Sequence, residues 1–168
     1  MDDEVRTALD GFEALWKRVR DDPGAARLPA NKDAAPLQMQ DETETLRRMI
    51  VRERTGQAHY ALAARLTGGH SAQTLLSLSA DCRRCGKALQ TEFFLRTGDS
   101  CAEAPEPMPT DNLPGCLRRA YLRETQNQSD YLRAAAEWPA LSALFGELAG
   151  RSERRRGSVT ELVRLLLE

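Results

Sequence analysis

No run of apolar residues in this chain of 168 residues approaches the ~20 that a bilayer-spanning helix needs. Charge of one sign is missing too. With 24 Lys and Arg against 25 Asp and Glu, no overall field favours nucleic acid or an anionic membrane surface. The one dense basic run, Arg151, Arg154, Arg155 and Arg156, is broken up by Glu147, Glu153 and Glu161. There is no glycine-rich phosphate loop and no nucleophile paired with a histidine, so nucleotide chemistry and classical hydrolysis have no support. The opening Met1-Asp2-Asp3-Glu4 is the opposite of a cationic signal-peptide start. A cytoplasmic location is therefore expected, with the four cysteines as thiols rather than disulfides. No stretch alternates apolar and polar residues as a strand would. The expected fold class is all-α, with 41% apolar residues enough for one core.

What is present reads as helices and breaks. Val5 to Arg20 places Leu9, Phe12, Leu15, Trp16 and Val19 on one side and stops at Asp22-Pro23-Gly24. Leu28 to Gln40, with Pro29 and Pro36, reads as an extended connector. Residues 1–40 are thus expected to form an N-terminal helix and connector, and residues 41–168 a four-helix bundle. Its first helix runs from about Asp41 to Leu66, closed by Gly68-Gly69 in the manner of a C-cap. Ser71 is the expected N-cap of the second, which stops at Gly98. The third starts near Pro114 and runs to about Glu137. The fourth follows a turn at Trp138-Pro139 and continues to the C-terminus. Short links make helices one and two, and three and four, antiparallel hairpins. The link between helices two and three carries Pro105, Pro107 and Pro109. Its ~15 residues at ~3.3 Å each reach the length of a bundle, which predicts one long crossover.

In each bundle helix a polar residue interrupts the apolar stripe. Leu46, Met49/Ile50, Glu53, Tyr60 and Ala64 share one face, and Leu75, Leu78, Cys82, Cys85, Leu89 and Phe93 another. The third helix gives Leu117, Ala120/Tyr121, Glu124, Tyr131 and Ala135. The fourth gives Leu141, Leu144/Phe145, Leu148, Ser152, Arg155, Val159, Leu162 and Leu166. Burying a charge costs several kcal/mol unless it is paired or metal-bound. Polar interruptions at matching depth therefore point to a shared site.

Glu53 followed seven residues later by Tyr60, and the same pattern at Glu124 and Tyr131, resemble the ferritin-like superfamily, specifically its rubrerythrin-type branch. The resemblance spans roughly Asp41 to Glu168 and includes Met49-Ile50-Val51-Arg52-Glu53 and Ala120-Tyr121-Leu122-Arg123-Glu124. It implies a four-helix bundle with the long crossover. It also implies a pair of iron or manganese ions held by a Glu from two helices and a Glu-x-x-His from each of the other two. The chain departs from that pattern. Cys82 and Cys85 stand in one Glu-x-x-His position, and Ser152 and Arg155 in the other. Arg155 would place a permanent positive charge where the cations belong.

Three functions follow as expectations. The favoured one is a degenerate bundle without di-metal activity, a structural or binding module. No cofactor is expected for it, a homodimer is its expected assembly, and nucleic acid and membrane are not expected partners. The second is a metal-binding oxidoreductase or peroxidase in which Glu53, Glu124, Cys82 and Cys85 hold a single zinc or iron ion. The third is a thiol peroxidase using Cys82 and Cys85, although no histidine follows the pair. In the favoured case Arg155 is expected to bond one or both carboxylates, with Tyr60 and Tyr131 donating to the remaining oxygens. Cys101 and Cys116 are expected at opposite ends of the bundle, too far apart to bridge. His59 is expected off the core stripe, and His70 in a solvated turn.

Overall fold

Local chemistry sets where each helix begins and ends. A computed structural model describes residues 35–109 and 112–167, and the described residues form four α-helices and no strand. Helix α1 is Ala35–Ala64, α2 is Gly69–Thr97, α3 is Leu113–Glu137 and α4 is Ser142–Leu167. The helix expected over Val5–Arg20 lies outside the described residues.

Several sequence expectations need correction. Helix α1 begins at Ala35, so residues 35–40 are helical rather than extended. Pro36 does not prevent this, because a proline in the first turn gives up an N–H that has no partner there. The helix ends at Ala64, and Arg65 and Leu66 close it with tighter bonds to the carbonyls of Leu62 and Ala63. Gly68 is the N-cap of α2 in place of Ser71, and Gly69 takes φ +57°, which turns the chain sharply between the two helices.

The other boundaries follow their caps. Gly98 ends α2 at φ 76° with its N–H on the Phe94 carbonyl. Asn112 opens α3 by accepting from the Gly115 N–H. Pro139–Leu141 forms a single 3₁₀ turn into α4.

Residues Glu42–Glu168 form one compact unit. Its core is two apolar clusters. The first joins Leu46, Met49 and Ile50 of α1 to Leu89 and Phe93 of α2, Ala134 of α3 and Phe145 and Leu148 of α4. Phe145 lies between Tyr131, on which it stacks with centroids 6.3 Å apart, and Trp138, whose ring is tilted by 54° at 6.2 Å. The second cluster joins Tyr60 and Ala63 of α1 to Leu75 and Leu78 of α2, Leu117 and Ala120 of α3, and Val159 and Leu162 of α4.

The predicted stripes lie inward with few exceptions. Tyr121 is exposed, Ala134 is buried more deeply than Ala135, and Leu166 near the end of α4 is exposed. Between α2 and α3 the described residues form no helix. There Cys101 joins the first cluster and Met108 packs on the second, as does Leu113 at the start of α3. This segment is tied to α1 by Arg54 donating to the Glu103 carbonyl (2.7 Å) and by the Glu106 N–H donating to Thr55 Oγ1 (2.9 Å).

Candidate functional site

Four helices each deliver polar side chains to the level between the two apolar clusters. Glu53 comes from α1, Cys82 and Cys85 from α2, Glu124 from α3, and Ser152 and Arg155 from α4. None of these is more than 2% exposed. Ser152 and Arg155 are one turn apart, as are Cys82 and Cys85, so each pair shares a face.

Arg155 is the hub. Its Nε donates to Glu124 Oε2 at 3.0 Å and its Nη2 to Glu53 Oε1 at 2.9 Å and Ser152 Oγ at 3.1 Å. Its Nη1 donates to Asp81 Oδ2 at 2.9 Å and Cys85 Sγ at 3.3 Å. The guanidinium thus uses every side of its planar fork. Tyr60 donates to Glu124 Oε1 (2.9 Å) and Tyr131 to Glu53 Oε1 (2.7 Å), each tyrosine reaching the carboxylate of the other helix.

Asp81 is the member that the sequence reading did not assign. It also accepts from Arg151 Nη1 at 2.7 Å and Arg84 Nη2 at 3.3 Å, linking the buried hub to the surface. The signal was available. Asp81 and Cys85 are one turn apart on α2, and Arg151 and Arg155 are one turn apart on α4, so two facing ladders line up.

The residues beside each carboxylate repeat this logic. Arg52, just before Glu53, pairs with Asp130, just before Tyr131. Arg123, just before Glu124, pairs with His59, just before Tyr60, through Nη1 and Nδ1 at 3.3 Å. Arg123 also lies over the Tyr60 ring, 4.8 Å from its centroid, and 3.6 Å from Glu124 Oε1. Gly56 leaves room on α1 for the Cys82 thiol of α2 and the Arg123 side chain of α3. A Cβ on Gly56 would stand 2.9 Å from Cys82 Sγ and 3.4 Å from Arg123 Nε.

The electrostatics follow from burial and from these partners. Burial pushes the Glu53 carboxyl up and Glu124 adds to that, while Arg155 and Tyr131 pull it down; the outcome lies above 4.5. Burial also acts on Asp81, but Arg155 and Arg151 outweigh it and hold that carboxyl below 3.8. Burial, then the Glu53 charge, push the Cys85 thiol up to about 12, and the same two causes raise Cys82. Desolvation and the neighbouring carboxylates likewise keep the Tyr60 and Tyr131 hydroxyls protonated, as donors must be.

The donor set does not fit the pair of metal ions that the family resemblance implies. Both carboxylates already bond a guanidinium, whose fixed charge opposes a divalent cation. The smaller set of Glu53, Glu124, Cys82 and Cys85 would need thiolates, and Arg155 stands among these groups, bonded to both carboxylates and 3.3 Å from Cys85 Sγ. Among the described residues no group of three or more His, Cys, Asp or Glu side chains is arranged to hold a metal ion. All four cysteines are buried and free; Cys101 belongs to the first apolar cluster and Cys116 to the second. His70 is exposed, and no helix of the described residues is long and apolar enough to cross a membrane. No family model, curated protein or solved structure matches the chain.

Proposed function

We propose that this chain is a degenerate ferritin-like bundle of the rubrerythrin type, in which the Arg155 guanidinium takes the place of the metal ions. It serves as a non-catalytic structural or binding module. The observation that carries this reading is the single guanidinium bonded to both Glu53 and Glu124, with each carboxylate also held by a tyrosine of the opposite helix. A cation between two carboxylates offsets their mutual repulsion whether it is a metal or an arginine, though one guanidinium leaves one negative charge in surplus. The arginine offers neither an open coordination position nor a redox couple.

The ferritin-like connectivity is part of the same proposal, and cluster membership supports it. Helix α1 enters at the first apolar cluster and leaves at the second, α2 and α3 both run from the second to the first, and α4 returns. That order needs one long connection between α2 and α3. Cys101 in the first cluster and Met108 on the second fit a segment that makes the journey. The raised Cys82 and Cys85 thiols favour this reading over thiol chemistry.

Metal analysis of protein purified without chelator tests it. The expected content is far below one ion per chain, with no turnover of hydrogen peroxide. About two irons per chain, the complement of an intact site, would overturn the proposal.

A further inference from the structure

Helix α3 carries two stripes. The inward one, Ala120, Glu124, Asn127, Tyr131 and Ala134, is buried. The other runs along the opposite side. Arg118, Leu122, Thr125, Ser129, Leu132 and Ala136 are all exposed and follow each other in steps of four and three residues. A repeat of about 3.5 residues makes the narrow seam by which one helix packs along another. Leu122, at 57%, is the most exposed large apolar side chain among the described residues, Leu132 reaches 54%, and Tyr121 at the edge of the stripe 42%. Scattered exposed leucines are ordinary on a protein surface, but a row at helix-packing spacing marks a contact.

We propose that this face of α3 is a dimer interface, with α3 of a second copy of the chain packed antiparallel along it, about a two-fold axis at the level of Asn127. Leu122 then lies level with Leu132 of the second copy, and Thr125 with Ser129 of the second copy.

The stripe suits a second copy in that orientation. Its middle, Leu122, Thr125, Ser129 and Leu132, has the same order of large and small side chains from either end. The small pair at the centre lets two helices approach closely, and the leucines close the seam on each side. Thr125 makes no polar demand there, because its hydroxyl donates to the Tyr121 carbonyl of its own helix at 2.9 Å. Beside the stripe, Gln126 and Arg133 both donate to Asp130, at 3.1 and 2.6 Å. The rim is thus polar and already bonded, as the edge of an interface is.

Charge at the two ends of the stripe sets the direction. Arg118 and Glu137 are both exposed, and neither has an ion-pair partner among the described residues. They lie ~28 Å apart along the axis at ~1.5 Å per residue. Antiparallel packing brings each Arg118 within one residue's rise of Glu137 of the second copy and makes two ion pairs. Parallel packing would set Arg118 against Arg118 and Glu137 against Glu137. Glu137 is also the last residue of α3, where the helix dipole disfavours a negative charge and a cation relieves it. The seam gives the proposed binding module a partner of its own kind. It lies on the side of α3 away from Glu124, so its test stands apart from the metal analysis.

Sedimentation velocity of the full chain, from about 1 to about 100 μM, is the test. The wild-type chain should dimerise within that range. A variant with Leu122→Glu and Leu132→Glu changes only the surface, so it should keep the parent's helix content by circular dichroism and stay monomeric throughout. Arg118→Glu alone and Glu137→Arg alone should each weaken dimerisation about tenfold, as two ion pairs become like-charge contacts, and combining the two should restore it. A wild-type chain that is still monomeric at about 100 μM would overturn the proposal. So would a dimer that survives the two glutamates, or a charge swap that brings no recovery.

Discussion

Arg155 and Glu53 stand 102 positions apart in the chain and 2.9 Å apart in the fold, a guanidinium on α4 against a carboxylate on α1. Both are essentially cut off from water. Arg155→Ala would leave Glu53, Glu124 and Asp81 short of a shared cation, and should lower unfolding free energy by ~3–5 kcal/mol, the usual cost of orphaning a buried charge. Arg155→Lys should recover only a small part, because one ammonium cannot reach three carboxylates in the plane of a fork. Urea unfolding of the two variants beside the wild type measures both. An alanine variant that melts within a degree or two of the parent would sink the assignment.

The tyrosines give a second measure of the same cluster. Tyr131→Phe removes a hydroxyl that donates to Glu53 without leaving a hole, and Tyr60→Phe does the same for Glu124. Each should cost about 1–3 kcal/mol, since a buried carboxylate loses a donor. A double-mutant cycle of Tyr131→Phe with Glu53→Gln should show strong coupling. Independent effects would mean that the pair does not act as a unit.

Two helical glycines should respond to alanine with opposite signs. At Gly86 a Cβ would make ordinary contact with Glu53 Cβ at 3.5 Å, so Gly86→Ala should stabilise α2 by about 0.5–1 kcal/mol. At Gly56 the new Cβ would meet Cys82 Sγ at 2.9 Å, and the overpacking should cost about 1–3 kcal/mol. Adding Cys82→Ala should restore part of the loss. Thermal melts of the three proteins would settle the signs.

Acid should weaken the fold in two windows. The Asp81 carboxyl is held below its ordinary 3.8 in the folded chain, so its contribution is full above 3.8 and is lost as pH falls through the depressed value. His59 is held below 6.5, so its contribution is full above 6.5 and declines as the folded ring takes up its proton. Glu53, held above 4.5, works in the opposite sense as pH rises through its own value. Stability against pH should therefore be flatter in Asp81→Asn below 3.8 and flatter in His59→Gln below 6.5. An unchanged slope in either variant would contradict its assignment.

Cys82 and Cys85 should resist thiol reagents. With both thiols buried and pushed up, Cys85 to about 12, modification in native buffer at mildly alkaline pH should be limited by opening of the fold. Unfolding in urea should release all four cysteines at once. Prompt labelling of the pair in the native chain would show that α2 opens more readily than its burial implies.

The sequence carried the helices and the depth of the site in its spacing. Glu53, Glu124, Ser152 and Arg155 all fell on apolar stripes, and a charge on such a stripe must find a partner. Pairing was harder to see. Asp81 lies beside the stripe rather than on it, and only the approach of α2 to α4 shows that Arg155 and Arg151 both need it. His59 was legible as off the core face, but its partners come from a proline-rich segment whose path no periodicity describes. The start of α1 was misread because Pro36 looks like a helix breaker unless it falls in the first turn. Gly68 and Gly69 were misread because a glycine pair can close one helix or open the next.

The polar layer between the two apolar clusters has a further consequence, for the register of the helices. Apolar side chains are interchangeable enough that a helix can slip by one turn, ~5.4 Å, and still bury its stripe. Here such a slip of α4 would carry Arg155 away from Glu53, Glu124 and Asp81 into Leu, Val or Phe, breaking its three ion pairs and leaving its own charge buried without a partner. The cluster thus acts as a ratchet tooth. It adds little to the depth of the native minimum and raises the misaligned alternatives around it, so that four helices with similar apolar faces settle into one alignment.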